Sequence, residues 1–318
     1  MVKRRLGILI LLLQLCLCML PQYALAASTV DAKEPIVTDK NCTLTLSYGY
    51  GSEVFADVAV SVYKIADVSS DFQYTLTEAF EDSQLILNGI QTTGEWNVIR
   101  STLEAYILIN GTQADMEATT DESGKLSLDT LETGMYLIIT GHVEKNGTDY
   151  FFDSALIALP GLGTDGLWEY DVAVNPKAQA LPPIRPDETL ELKVLKLWKG
   201  DENRTDRPGS VEVAIFRNGE HYQTVTLSGE NNWSYSWSAP DDGASWVATE
   251  RNVPAGYVLT TERRGNTFLL TNTLPSEPTE PPKTGDSANI LLYTAIMYLS
   301  GMLLILLGIL GKRKAYEK

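Results

Sequence analysis

Lys196, Glu250 and Asn272 sit where apolar residues belong. In LKVLKLW (192–198), strand alternation puts Leu192, Val194, Lys196 and Trp198 on one face and Lys193, Leu195, Leu197 and Lys199 on the other. The first set ends in a tryptophan and the second is bracketed by lysines, so Lys196 points inward. In SWVATE, Trp246, Ala248 and Glu250 share a face; in NTFLLTNT, Phe268, Leu270 and Asn272 do. One buried lysine costs several kcal/mol unless it is paired or neutralised. A lysine, an acid and an amide on what read as the first, penultimate and last strands of one unit therefore suggest a single site. Burial lowers an amine's pKa and raises a carboxyl's. A neutral amine is a nucleophile, and a protonated acid can polarise a carbonyl and move protons. The residue types alone leave a second reading open, a buried Lys196–Glu250 salt bridge with Asn272 merely hydrogen-bonded.

The elements that must position these residues are short and alternating. Over 190–274, SVEVAIF runs into an Asn218-Gly219 hairpin and out through HYQTVTL, and WSYSWS puts Trp233, Tyr235 and Trp237 on one face. Nothing there has helical period, and a small β-sandwich is expected. Residues 40 to 177 are also strand-rich (TLTLSY, VAVSVYKIA, GKLSLDTLETGMYLIIT, SALIALP). Between them, Trp96, Ile99, Leu103 and Tyr106 recur at three- and four-residue steps, predicting an amphipathic helix that stops at Asn110-Gly111. The first strand of this region faces Leu44, Leu46 and Tyr48 inward and has no lysine, so no internal crosslink is expected there. Two Pro-rich stretches, 175–188 and 274–282, read as semi-rigid spacers.

KVLKLWKGDENRTDRPGSVEVAIFRNG, NNWSYSWS, ATERNVPAGY and TNT resemble the Cna-B domain of Gram-positive surface proteins and pilins, over the whole of 190–274. The resemblance implies an intramolecular isopeptide bond between Lys196 and Asn272, promoted by Glu250 in an E-x-x-x-P-x-G-Y box (Glu250, Pro254, Gly256, Tyr257). WEYDVAVNPK resembles the pilin motif at Trp168, Val172, Val174, Pro176 and Lys177. It implies that the Lys177 amine attacks the sortase-bound threonine of another subunit.

The ends of the chain speak to location. Lys3, Arg4 and Arg5, an apolar run from Leu6 to Leu20, and Ala24-Leu25-Ala26 form a secretory signal with a cut after Ala26. PPKTG (Pro281, Pro282, Lys283, Thr284, Gly285), an apolar stretch long enough to span a bilayer, and a basic tail follow one another at the other end. Together they resemble the LPXTG sorting signal, with Pro281 where the family has leucine, and imply sortase cleavage between Thr284 and Gly285. The expected organisation is signal 1–26, a pilin-like domain 27–177, a linker 178–189, a Cna-B-type domain 190–274, a wall linker 275–288, a transmembrane helix 289–311 and a cytoplasmic tail 312–318. The fold class is all-β, two tandem Ig-like sandwiches, the first with a helical insertion. The implied partners are a housekeeping or pilin sortase, peptidoglycan and other pilin subunits, with a wall-anchored product. A non-polymerising adhesin or stalk differs only in whether Lys177 is used, and no host ligand can be named.

Composition narrows the alternatives. The whole chain is at −16. Without three basic residues in 1–26, and four basic and two acidic in 285–318, residues 27–284 carry −21, which argues against nucleic acid and anionic lipid. Cys16 and Cys18 leave with the signal, so Cys42 has no partner for a disulfide. No G-x-S-x-G, P-loop or metal-spaced cluster occurs, and neither an enzyme nor a cofactor is expected. The acid-rich loops 201–206 and 241–243 read as solvated turns, with Ca²⁺ the other option. Sequons at Asn41, Asn110, Asn146, Asn203 and Asn232 are what a eukaryotic single-span receptor with Ig-like domains would show, but such a receptor needs no PPKTG.

Overall fold

A computed structural model describes residues 34–181, 185–202 and 205–275. The expected signal, sorting motif and membrane span lie outside these residues. The described part is built of strands, with one α-helix and two single 3₁₀ turns. Among the described residues no helix is long and apolar enough to cross a membrane.

The first unit has three layers. Strand β1 (Cys42–Ser47), β2 (Ala59–Val68), helix α1 (Thr93–Asn110), β3 (Lys125–Leu131), β4 (Gly134–Thr140), β5 (Ala155–Leu159) and β6 (Asp171–Val174) carry it. One sheet runs β6-β1-β3, and the other runs β5-β4-β2 and on to Tyr74–Leu76. Leu44, Leu46, Tyr48, Val60, Val62, Tyr136 and Ile138 fill the space between the sheets. The opposite face of the β4–β2 sheet packs Tyr63, Ile65, Met135 and Leu137 against Ile99, Leu103 and Ile107 of α1. That is why GMYLIIT is a nearly continuous apolar run rather than an alternating one: both faces of β4 are covered. The helix begins at a capping box in which Thr92 and Glu95 satisfy each other's backbone N–H. It ends where Gly111 turns left-handed and donates to the Ile107 carbonyl.

The second unit comprises β7 (Arg185–Lys199), β8 (Ser210–Arg217), β9 (Glu220–Ser228), β10 (Ser234–Asp241), β11 (Trp246–Glu250), β12 (Val258–Arg264) and β13 (Thr267–Thr273). Sheets β10-β7-β13-β12 and β9-β8-β11 face each other. Leu192, Val194, Val213, Ile215, Trp237, Trp246, Ala248, Phe268 and Leu270 lie between them. The Asn218-Gly219 turn has positive φ at both residues, as a two-residue hairpin requires. The strand bearing Glu250 is third from the end, because β12 intervenes before β13; the short acidic-basic run VLTTERR hid it. The stretch expected as a spacer carries ladder pairings on both sides: Ala178–Ala180 pairs with Tyr150–Phe152, and Arg185 and Thr189 pair with β10.

The helix has a second job that its apolar stripe did not announce. Thr102 is buried, donates its hydroxyl to Val98 O at 2.7 Å and accepts from Thr261 N of β12 at 2.8 Å. Strand β12 is a sheet edge, and α1 covers it, while Val258 packs on the first unit's helix-side core.

Candidate crosslinking site

Strands β7 and β13 run parallel and adjacent, with Lys196 opposite Leu270 and Trp198 opposite Asn272. Because side chains alternate, Lys196 and Asn272 emerge on the same inner face, one diagonal step apart. Strand β11 belongs to the facing sheet and aims Glu250 across the gap. The three residues meet there. Lys196 Nζ lies 3.2 Å from Glu250 Oε2, and both side chains are 0% exposed. Asn272, equally buried, donates from Nδ2 to Glu250 Oε1 at 3.2 Å. The amine also reaches the carbonyls of Leu197 and Leu270, at 3.3 and 3.5 Å. Asn272 Oδ1 is buried without a hydrogen-bond partner.

The electrostatics follow from burial. Desolvation brings the Lys196 amine down to about 8, against the opposing pull of Glu250. Desolvation likewise raises the Glu250 carboxyl above its usual range, against Lys196 and Asn272. Each partner is thus displaced toward its neutral form, the state in which an amine attacks and an acid donates.

Aromatic rings close the site on the side of β7. The amine sits 4.5 Å from the Trp198 ring centroid. Trp198 in turn meets Trp233 and Tyr257 edge-on, at 5.4 and 5.2 Å. Trp233 holds a left-handed backbone (φ 55) while its carbonyl accepts from Lys196 N at 2.8 Å. Such a conformation is strained for a bulky residue and persists where neighbours enforce it. Between α1 and the 249–257 segment, a cleft of about 380 Å³ is lined by Tyr106, Asn110, Glu250, Pro254 and Tyr257.

One expectation needs revision. Asp201 is not in a solvated turn: it is 2% exposed, gripped by Arg207 through two bonds of 2.7 and 2.6 Å, and accepts from Tyr257 Oη at 2.8 Å. Its signal in the sequence was only an Asp with an Arg six residues on, in a loop that otherwise reads as polar. Asp242 of the other acidic loop pairs with Arg217. No group of three or more His, Cys, Asp or Glu suited to a metal occurs among the described residues.

The remaining predicted residues are elsewhere. Lys177 is exposed just beyond β6, follows a buried Pro176, and is held by its backbone, whose carbonyl accepts from Asp153 N at 2.9 Å. Trp168 donates to Glu34 O at 2.7 Å and lies 5.3 Å from the Phe72 ring. Cys42 is buried and free, its thiol pushed up to about 11 by burial, so it is a core residue rather than a nucleophile. Pro281, Pro282, Lys283, Thr284 and Gly285 lie outside the described residues.

Residues 192–273 match the Cna protein B-type domain family. The match covers the second unit alone. No curated protein matches the chain. Among solved structures, a single B repeat unit (B1) of the collagen-binding surface protein Cna of Staphylococcus aureus is 12% identical, covering 74% of this chain and 100% of that one, with a TM-score of 0.25. A variant of the shaft pilin SpaA of Lactobacillus rhamnosus GG is 13% identical over 75% of this chain and 100% of that one, TM-score 0.27. The full-length major pilin SpaD of Corynebacterium diphtheriae is 11% identical over 76% and 99%, TM-score 0.28. At these scores the superpositions carry no argument of their own.

Proposed function

We propose that this chain is a sortase-anchored cell-wall surface protein of the pilus-subunit kind, whose second unit is locked by a Lys196–Asn272 isopeptide bond. The observation that supports this best is the meeting of Lys196, Glu250 and Asn272, wholly buried, with Glu250 within 3.2 Å of both partners. A half-turn of the Asn272 amide exchanges Nδ2 for Oδ1, so that protonated Glu250 donates to the carbonyl. The neutral Lys196 amine then attacks Cγ; the Nζ–Cγ bond forms, Glu250 relays a proton from Nζ to the departing nitrogen, and the Cγ–Nδ2 bond breaks to release ammonia. The product amide is uncharged, which removes the desolvation cost of both ions. The exposed Lys177 is the amine offered to a Thr284 acyl-enzyme of another copy, and Thr284-Gly285 is the point of wall attachment.

Blots of wall extracts test the assembly half. The wild-type chain should give a ladder of covalent multimers, and Lys177→Ala a single wall-linked band. Lys177→Arg should also fail, because guanidinium stays protonated. Thr284→Ala should release the protein from the wall fraction. A ladder that survives Lys177→Ala would show that another amine is used, and a wild-type single band would show a non-polymerising wall protein.

A further inference from the structure

Beside the three reacting groups stands a fourth set of side chains that the proposed chemistry does not yet use. Gly200, in a left-handed conformation (φ +76), lets the chain leaving β7 fold back tightly over Leu274; a Cβ there would lie 2.8 Å from the Leu274 carbonyl. This turn delivers Asp201 into the protein, where Arg207 grips it with two parallel bonds and Tyr257 donates to it. Trp198 joins the two clusters. Its ring has the Lys196 amine 4.5 Å from its centroid, the Arg207 guanidinium at 5.4 Å and the Tyr257 ring edge-on at 5.2 Å. A buried carboxylate beside a lysine that must become neutral is a hindrance, because its negative charge favours the ammonium form.

We propose that Asp201, Arg207 and Tyr257 form a clasp over the crosslinking centre, in which Arg207 cancels the charge of Asp201 and so frees Lys196 to react. The inference rests on the isopeptide reading. These are positioning residues: their hydrogen bonds run to one another, with Arg207 and Tyr257 both donating to Asp201. Asp201 holds Tyr257, Tyr257 backs the Trp198 ring that covers the amine, and Arg207 closes the outside, with its side chain 36% exposed against 1% for Asp201. The charged groups that act on the amine are Glu250 from β11 and Asp201 from the loop after β7, and Asp201 is in turn bonded by Arg207 of the same loop and by Tyr257 from the turn before β12. Asp201 is itself held below the usual carboxylate range, with Arg207 as the main cause, so it is ionised throughout the pH range in which Lys196 loses its proton. The sign of each substitution follows. Removing Arg207 exposes Lys196 to an uncancelled negative charge; removing the charge of Asp201 leaves an uncancelled positive one.

The test is the pH dependence of crosslinking in residues 27–284. The chain is made as never-folded insoluble product, dissolved in acid urea at its full sequence mass, refolded at pH 6 to 10, and followed by mass for the loss of one ammonia. Arg207→Met should move the rising limb of the rate to higher pH by roughly one unit or more, the size that a nearby bare charge produces. Asp201→Asn, which is isosteric, should move it to lower pH, and the double variant should return it close to wild type. Tyr257→Phe should slow the reaction at every pH without moving the limb as far as Arg207→Met does. Equal slowing at all pH values in the two single-charge variants, or a double variant no better than Arg207→Met, would show that the clasp is packing only and overturn the proposal. A wild-type chain that folds and never loses ammonia would overturn the isopeptide reading itself, a separate outcome.

Discussion

The two units share one topological device and fill it differently. In each, the first strand pairs in parallel with a strand near the end: β1 with β6, which only the short Ala178–Ala180 strand follows, and β7 with β13, the last. In the first unit the inward residues at this junction are Leu44 and Leu46, opposite Val172 and Val174, and the strand is followed by Tyr48, whose hydroxyl lies 2.9 Å from Thr140 Oγ1. In the second they are Val194, Lys196 and Trp198, opposite Phe268, Leu270 and Asn272. Apolar packing closes one junction, and a buried lysine and amide stand at the other. The difference tracks where tension would run. Under the proposed linkage, a pull between Lys177 and Thr284 enters after β6, crosses only the short Ala178–Ala180 edge pairing of the first unit, and then passes through β7 and β13 of the second. A bond between the first and last strands matters only in the unit that is pulled.

The largest expected effect breaks the junction of the second unit alone. A Lys196–Asn272 bond closes a loop of nearly the whole unit, and its loss should destabilise that unit by roughly 4 kcal/mol. Calorimetry of Lys196→Ala, Glu250→Ala and Asn272→Ala should show the second-unit transition falling steeply while the first-unit transition stays in place. If Glu250→Ala melts like wild type, the covalent account of the difference is wrong.

Somewhat smaller is a pH effect that exists only when the bond is absent. In Asn272→Ala the amine stays titratable, with burial lowering it from 10.5 to about 8. A depressed lysine destabilises the fold while the unfolded chain holds a proton that the native state does not, so stability should rise as pH climbs from about 8 to 10.5. The gain is up to about 3 kcal/mol. Under the proposed bond Lys196 of the wild type is an amide, so its curve should lack this rise; subtracting the two curves isolates it from other groups. Parallel curves would mean that Lys196 titrates in both proteins.

The smallest effect concerns the contact between units. Thr102→Val keeps the shape of the side chain but strands the Thr261 N–H in a buried interface, at a cost of roughly 1–3 kcal/mol. Hydrogen exchange at Thr261 and its neighbours on β12 should quicken, while β7 and β13 remain protected. Unchanged exchange on β12 would show that α1 does not guard that edge.

Much of this was legible beforehand because strand alternation makes a misplaced side chain visible. Lys196, Glu250 and Asn272 each follow two apolar residues on the same face, and each is buried as that pattern requires. The helix was equally readable from Trp96, Ile99, Leu103 and Tyr106, down to its stop at Gly111. What escaped was set by contacts rather than by period. Thr102 is a polar residue on a helix, and only the nearness of β12 makes it an interface. Asp201 lies in a loop of charged residues, and its burial comes from a glycine turn and from an arginine that no local pattern links to it. Strand β12 was missed because VLTTERR is too polar to look like a strand until a helix from the other unit covers it.

The central claim is most directly tested by the intact mass of residues 27–284, produced alone and measured under denaturing conditions. The wild-type chain should be lighter than its sequence by one ammonia, and digestion should release a single branched species joining the peptides that contain Lys196 and Asn272. Glu250→Ala should restore the full mass. A folded wild-type protein at full mass, with Lys196 and Asn272 on separate peptides, would contradict the account.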